Sequence, residues 1–162
     1  MRKLGIFLFV VICGCTTAQD LLGPIALEQL KQHPHKEWFA VEYENYSPFV
    51  KTTDQLMPLM NDVEIKTFMG TWCSDSQIQV PAFYRILEKV EFKGKASIIA
   101  VDEHKKTPSG SAAAHGITHV PTFIFYKNGK EINRIVESPV DFLEEDMLAI
   151  LSGNDYKHTY EN

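Results

Sequence analysis

Residues 68–76 read Phe-Met-Gly-Thr-Trp-Cys-Ser-Asp-Ser, and the hydrophobic period changes across them. Before them, Val63, Ile65, Thr67 and Met69 alternate with Glu64, Lys66 and Phe68, a period of two that predicts a strand over 63–69. After them, Ile78, Val80, Phe83, Ile86, Leu87 and Val90 recur close to every 3.6 residues. That spacing predicts a long helix over Ser74–Val90 with these side chains facing inward. Pro81 lies inside it and predicts a kink near Gln77 and Ile78, because its ring removes a backbone hydrogen bond. Cys73 therefore falls where a buried strand hands over to a helix N-terminus. Backbone N–H groups there have no intrahelical partner, and the positive end of the helix dipole favours an anion, so thiolate is expected over thiol. Ser76 stands one turn along and is expected to offer its hydroxyl to the sulfur. Asp75 opposes this, since a neighbouring carboxylate disfavours a second negative charge.

Toward the C-terminus the pattern stays regular. Ala96–Val101 is a continuous apolar run, the sign of a strand buried on both faces. Thr107–His115 predicts a short helix entered through Pro108 and closed by Gly116. Thr122–Tyr126 and Glu131–Val136 read as strands joined through Lys127-Asn128-Gly129-Lys130, because Asn-Gly accepts positive φ at both turn positions. Pro139–Leu151 predicts a final amphipathic helix with Phe142, Leu143, Met147, Leu148, Ile150 and Leu151 inward. The order β-α-β-α-β-β-α implies an α/β fold, one central mixed β-sheet flanked by helices on both faces.

A second segment completes the pattern: Gly116-Ile117-Thr118-His119-Val120-Pro121-Thr122-Phe123-Ile124-Phe125-Tyr126-Lys127-Asn128-Gly129. Trp72-Cys73-x-x-Ser76, followed at this distance by Val120-Pro121-Thr122 and Phe-x-Phe-x-Lys-Asn-Gly, resembles the thioredoxin family over about Phe49 to Leu151. The resemblance implies a thioredoxin-like fold and an active site with Cys73, Ser76 and Pro121 as its catalytic set. It implies that Trp72, Ser74, Asp75, Val120 and Thr122 meet the substrate. In such proteins the proline lies opposite the cysteine in cis, keeps metal from the sulfur and leaves the backbone of the preceding residue, here Val120, to pair with an incoming peptide. His119 is placed to lie near the sulfur, although a histidine in such a loop is more often simply solvated.

The departures from the family pattern bear on chemistry. Ser76 replaces the second cysteine, so Cys73 has no internal thiol to resolve a mixed disulfide. The family's buried acid falls on Thr67 and its lysine partner on Ile98, so the pair that shuttles protons in dithiol turnover is missing. A nucleophile remains that can attack a disulfide, hold a mixed disulfide and release it to another thiol.

The N-terminus reads as targeting signal. Arg2 and Lys3 precede an apolar run from Leu4 to Ile12, too short for the roughly 20 residues that span a bilayer and suited to a secretory signal. Residues 1–18 are assigned to that signal. Ile12-Cys13-Gly14-Cys15 resembles a bacterial lipobox with Cys15 as the lipidated residue, although Cys13 departs from it. Thr16-Thr17-Ala18 equally suits ordinary cleavage before Gln19. Residues 19–48 form an N-terminal extension expected to be helical: Ile25–Gln32 and the aromatic-rich Lys36–Tyr46 carry helical spacing, broken at Pro34. Residues 49–153 are the thioredoxin-like domain, opening with a short helix over Thr53–Asn61 that must take Pro58 in its first turns or bend. Residues 154–162 are a polar tail.

A net charge of −5 without a Lys/Arg cluster gives no nucleic-acid footprint. The histidines form no ligand pattern, no phosphate loop is present, and neither metal nor cofactor is called for. Expected partners are protein or low-molecular-weight disulfides and thiols, with the membrane reached only through a lipid anchor on Cys15. Two functions stay open. One is an exported monothiol thiol-disulfide oxidoreductase or isomerase, periplasmic or anchored in a bacterial cell envelope. The other is a non-catalytic envelope binding module on the same fold.

Overall fold

The computed structural model describes residues 20–161. The expected signal over residues 1–18, both cleavage readings and Cys15 lie outside the described residues. Strand β2 (Val63–Met69) is the centre of the architecture. It runs parallel to β3 (Lys95–Ala100) on one side and antiparallel to β4 (Thr122–Lys127) on the other. A parallel pair needs a long crossover, and helix α4 (Ser74–Lys89) supplies it. Strand β5 (Lys130–Val136) pairs antiparallel with β4 through a two-residue turn in which Asn128 and Gly129 have φ of 53° and 73°. Both positive angles match the twist of the flanking strands.

The fifth strand was not anticipated. Gly23–Ile25, β1, pairs antiparallel with β3 and gives the order β1-β3-β2-β4-β5. The helix expected over Ile25–Gln32 shrinks to α1 (Leu27–Leu30), so the 19–48 extension is not helical throughout. Three residues are too few to show alternation, and Pro24 sits where an edge strand tolerates a missing donor. Helix α2 (Lys36–Asn45) forms where its aromatic pattern places it and packs on α4 with Phe39 buried.

Other boundaries move for local reasons. The helix expected over Thr53–Asn61 begins earlier, as α3 (Val50–Leu56), and tightens into a 3₁₀ turn (Met57–Met60) with Pro58 in its first turn. Only α5 (Ser111–Ala114) is helical within Thr107–His115, because Thr107 and Pro108 open a turn in which Thr107 Oγ1 accepts from the N–H of Ala112 at 3.2 Å. The last helix, α6 (Leu143–Leu151), starts late because buried Asp146 reaches back to accept from the N–H groups of Val140 and Asp141. Phe142 is left half exposed rather than inward, and Ile78 on α4 is likewise exposed. Helix α4 continues unbroken through Pro81.

Alternation along β2 divides the core. Ile65 and Met69 join Phe83, Phe123, Phe125 and Met147 on the face covered by α2, α3, α4 and α6. Phe68 joins Ile99, Ala112, Ile117, Val120 and Ile124 on the face covered by the α5 segment. Thr67, register partner of Ile98, is fully buried, and its Oγ1 has no hydrogen-bond partner. The Tyr84 phenol approaches it without hydrogen-bond geometry.

Two buried carboxylates on α6 hold the segment around Tyr46 and Phe49 and the segment around Tyr156. Glu144 accepts from Tyr46 Oη at 2.5 Å and from the N–H of Phe49 at 2.8 Å. Asp146 accepts from Tyr156 Oη at 2.7 Å. Burial first, then these carboxylates, hold the Tyr46 and Tyr156 phenols above the ordinary tyrosine value of 10.0, and burial does the same for Tyr84. Below pH 10 folded and unfolded chains both keep these protons. Above it the unfolded chain releases protons that the folded chain retains, so stability falls as pH rises. The urea midpoint is expected to decline progressively above about pH 10, with a shallower decline in Tyr46→Phe. An identical pH slope in Tyr46→Phe and the parent would contradict the assignment.

Candidate active site

The loop from β2 to α4 is braced from three directions. The N–H of Cys73 donates to the Gly70 carbonyl at 3.1 Å, and the N–H of Gly70 donates to Ser76 Oγ at 3.2 Å. Gln77 Nε2 donates to the Thr71 carbonyl at 2.7 Å. Thr71 Oγ1 donates to Asp20 Oδ1 at 2.9 Å and accepts from the N–H of Leu21 at 3.1 Å, which docks the N-terminal extension against the loop. Gly70 has no side chain for a reason: a Cβ there would come within 2.4 Å of the Trp72 ring. Trp72 is fixed in turn by its Nε1–H, which donates to the Val101 carbonyl at 2.9 Å.

Cys73 occupies the N-cap of α4 in an extended conformation, half buried. No side chain caps that helix end, so the sulfur stands beside unsatisfied N–H groups. Opposite it the Val120–Pro121 peptide is cis, and the Cys73 thiol donates to the Val120 carbonyl at 3.2 Å. The proline loop is itself held: Thr122 Oγ1 donates to the His119 carbonyl at 2.7 Å, and the N–H of Glu137 donates to the Pro121 carbonyl at 2.7 Å.

An open cavity of about 320 Å³ surrounds the sulfur. Trp72, Cys73, Ser74, Asp75 and Val120, all singled out from sequence, line it. Ser76, Pro121 and Thr122 lie beneath the surface instead. Ser76 is fully buried and its oxygen is engaged by Gly70, while Thr122 supports the loop. Lys105, His119 and Glu137 complete the lining. Lys105 carries its ammonium 5.5 Å from the Trp72 ring centroid, at a positive-φ position of the loop after β3. Neither it nor Glu137 belongs to a motif, and no local signal marks them; His119 was visible only as a neighbour of Pro121. Among the described residues no group of three or more His, Cys, Asp or Glu side chains is arranged to hold a metal, and no helix is long and apolar enough to cross a membrane.

The thioredoxin family model matches residues 40–148, starting within α2 and ending within α6. The chain is 36% identical over 76 residues to thioredoxin Asp f 29 of Aspergillus fumigatus, covering 46% of this chain and 66% of that protein. It is 31% identical over 75 residues to the thioredoxin of Rickettsia prowazekii (46% and 63%). It is 32% identical over 81 residues to the chloroplastic thioredoxin Y of Oryza sativa (50% and 46%). The chain thus spans between about half and two thirds of the length of these relatives. Among solved structures, a protein of unknown function from Pseudomonas aeruginosa superposes with a TM-score of 0.60 at 16% identity, covering 75% of this chain and 86% of that one. That likeness concerns the fold alone. The match over residues 40–148 takes in the Cys73 loop, the cis-proline loop and the sheet that brings them together, and on it this chain belongs to the thioredoxin family.

Proposed function

We propose that this chain is an exported monothiol thiol-disulfide exchange protein in which Cys73 is the nucleophile. The observation that carries the reading is the placement of the Cys73 sulfur, at an uncapped helix N-terminus, in hydrogen-bond contact with the Val120 carbonyl and on the wall of an open cavity. Cys73 is the only free thiol among the described residues, and Ser76 holds the position of a resolving thiol. In the first step the Cys73 thiolate attacks a disulfide R–S–S–R′. A Cys73–S–S–R bond forms, the S–S bond of the substrate breaks, and R′–S⁻ leaves with the electron pair. In the second step an external or substrate thiolate R″–S⁻ attacks the R sulfur, restoring Cys73 thiolate and giving R–S–S–R″. Nothing is oxidised or reduced overall, which fits isomerisation or exchange better than net reduction. No cofactor takes part, and substrates are protein or low-molecular-weight disulfides and thiols. Export rests on Arg2, Lys3 and the Leu4–Ile12 run, with Cys15 as the lipidated residue or Gln19 as the new terminus.

The test is incubation with glutathione disulfide followed by intact-mass measurement. The expected result is a single glutathionyl adduct, mapped to Cys73 and removed by added thiol. Failure to form it while iodoacetamide labels Cys73 would sink the reading. One observation favours the second function, a binding module. Ile78, Phe49 and Phe142 are each at least 45% exposed, and Phe49 and Phe142 meet edge to face at 4.9 Å beside a second groove between α2, α4 and α6. Partner capture that survives Cys73→Ser would favour it.

A further inference from the structure

The tail, polar by composition, is built into the fold. Tyr156 is buried, with its hydroxyl on Asp146 and its carbonyl accepting from Asn133 Nδ2 at 3.0 Å. From this anchor the chain turns back on itself: the N–H of Glu161 donates to the His158 carbonyl at 2.9 Å, and the N–H of Tyr160 donates to His158 Nδ1 at 3.2 Å. The turn delivers the Tyr160 ring to the proline loop. It stacks on the His119 ring, centroids 3.8 Å apart and planes within 16°, and its hydroxyl donates to Glu137 Oε2. His119 and Glu137 are both walls of the Cys73 cavity. Asp75 lines the same cavity.

We infer that the tail around Tyr160 forms an end wall of the Cys73 groove and selects small disulfides over disulfides embedded in extended chains. A peptide laid along the proline loop to reach the Val120 backbone must run past His119, and the face of His119 is already covered by Tyr160. To bind, such a chain must first break both the stack and the hydrogen bond to Glu137. A small disulfide meets no such demand, because Cys73 itself remains partly exposed with Tyr160 in place. The tail thereby sets specificity without touching the reacting sulfur.

This inference rests on the thiol-exchange reading above, and the experiment separates the two. The full chain, Tyr160→Ala and Tyr160→Phe are each mixed with two uncharged probes, bis(2-hydroxyethyl) disulfide and an extended peptide carrying a mixed disulfide at its middle. Each reaction joins the Cys73 sulfur to one probe sulfur and releases the other as thiolate, so adduct mass gives both rates. The expected result is that the peptide-to-small ratio of rates rises about tenfold in Tyr160→Ala and less in Tyr160→Phe, which keeps the stack but loses the Glu137 bond. An unchanged ratio with Cys73 still reactive overturns the end wall and leaves thiol exchange standing. No reaction of Cys73 with either probe, in any of the three proteins, overturns both.

Discussion

Replacing Ser76 with cysteine is expected to shorten the life of a mixed disulfide on Cys73 by about a thousandfold or more, relative to release by millimolar external thiol. Ser76 lies in the first turn of α4, three residues after Cys73, and its oxygen faces back toward the loop, accepting from Gly70. A thiolate at residue 76 would be held beside the disulfide rather than delivered by diffusion. Well-oriented intramolecular groups reach effective molarities of about 10⁵ M and above, so even an imperfect alignment outruns a millimolar competitor. The step is balanced: the sulfur at residue 76 bonds to Cys73, and the substrate leaves as thiolate. Mass spectrometry of a preformed glutathionyl adduct follows its decay, and Cys73→Ser, which cannot form the adduct, supplies the blank. An adduct as long-lived in Ser76→Cys as in the parent chain would show that residue 76 cannot reach the sulfur. Thr67 and Ile98 leave proton transfer for that step to solvent, since neither side chain titrates.

Truncating Phe83 to alanine is expected to cost about 3–5 kcal/mol, a large share of the roughly 5–15 kcal/mol by which domains of this size are stable. Phe83 is fully buried on α4, stacks on Phe123 with centroids 4.2 Å apart, and meets Phe125 edge to face at 6.1 Å. Its partners belong to β4, the strand that begins at Thr122 immediately after Pro121. Phe83 therefore fastens the helix that carries Cys73 to the strand that carries the proline loop. Urea denaturation checks the number, and a loss below about 1 kcal/mol would mean that the aromatic cluster repacks to fill the space. The same variant is expected to loosen the contact of 3.2 Å between Cys73 and Val120.

Legibility in the sequence followed the range of the interactions involved. The limits of β2 were readable because Val63, Ile65 and Met69 alternate with Glu64, Lys66 and Phe68, and the β4–β5 turn because Asn128 and Gly129 tolerate positive φ. The meeting of Cys73 with Val120 was readable through two motifs that the sheet brings together. The direction of the Ser76 hydroxyl oxygen was not, because the N–H of Gly70, rather than the sulfur, fixes it. Ile78 and Phe142 fit a helical period yet sit at its solvent edge, where the period alone cannot decide. Lys105 and Glu137 reach the cavity, and Tyr160 packs on its His119 and Glu137 walls, from three separate segments outside any motif, and only the fold shows this.

The hydrogen bond between Asp20 and Thr71 fixes the first described residue against the loop that carries Cys73. From Cys15 to Asp20 the chain has five residue steps, at most about 18 Å when fully drawn out. Were Cys15 the lipidated terminus, that leash would hold the docked end of the chain within about 18 Å of its anchor, and the Thr71–Cys73 loop with it. Thiols and disulfides would then arrive from a thin layer at the bilayer surface, and the molecule could turn but not stray. Were cleavage to fall before Gln19, the new α-ammonium would sit one residue from the carboxylate that Thr71 already holds. The two processed forms would thus differ less in the fold they share than in the address at which the same sulfur works.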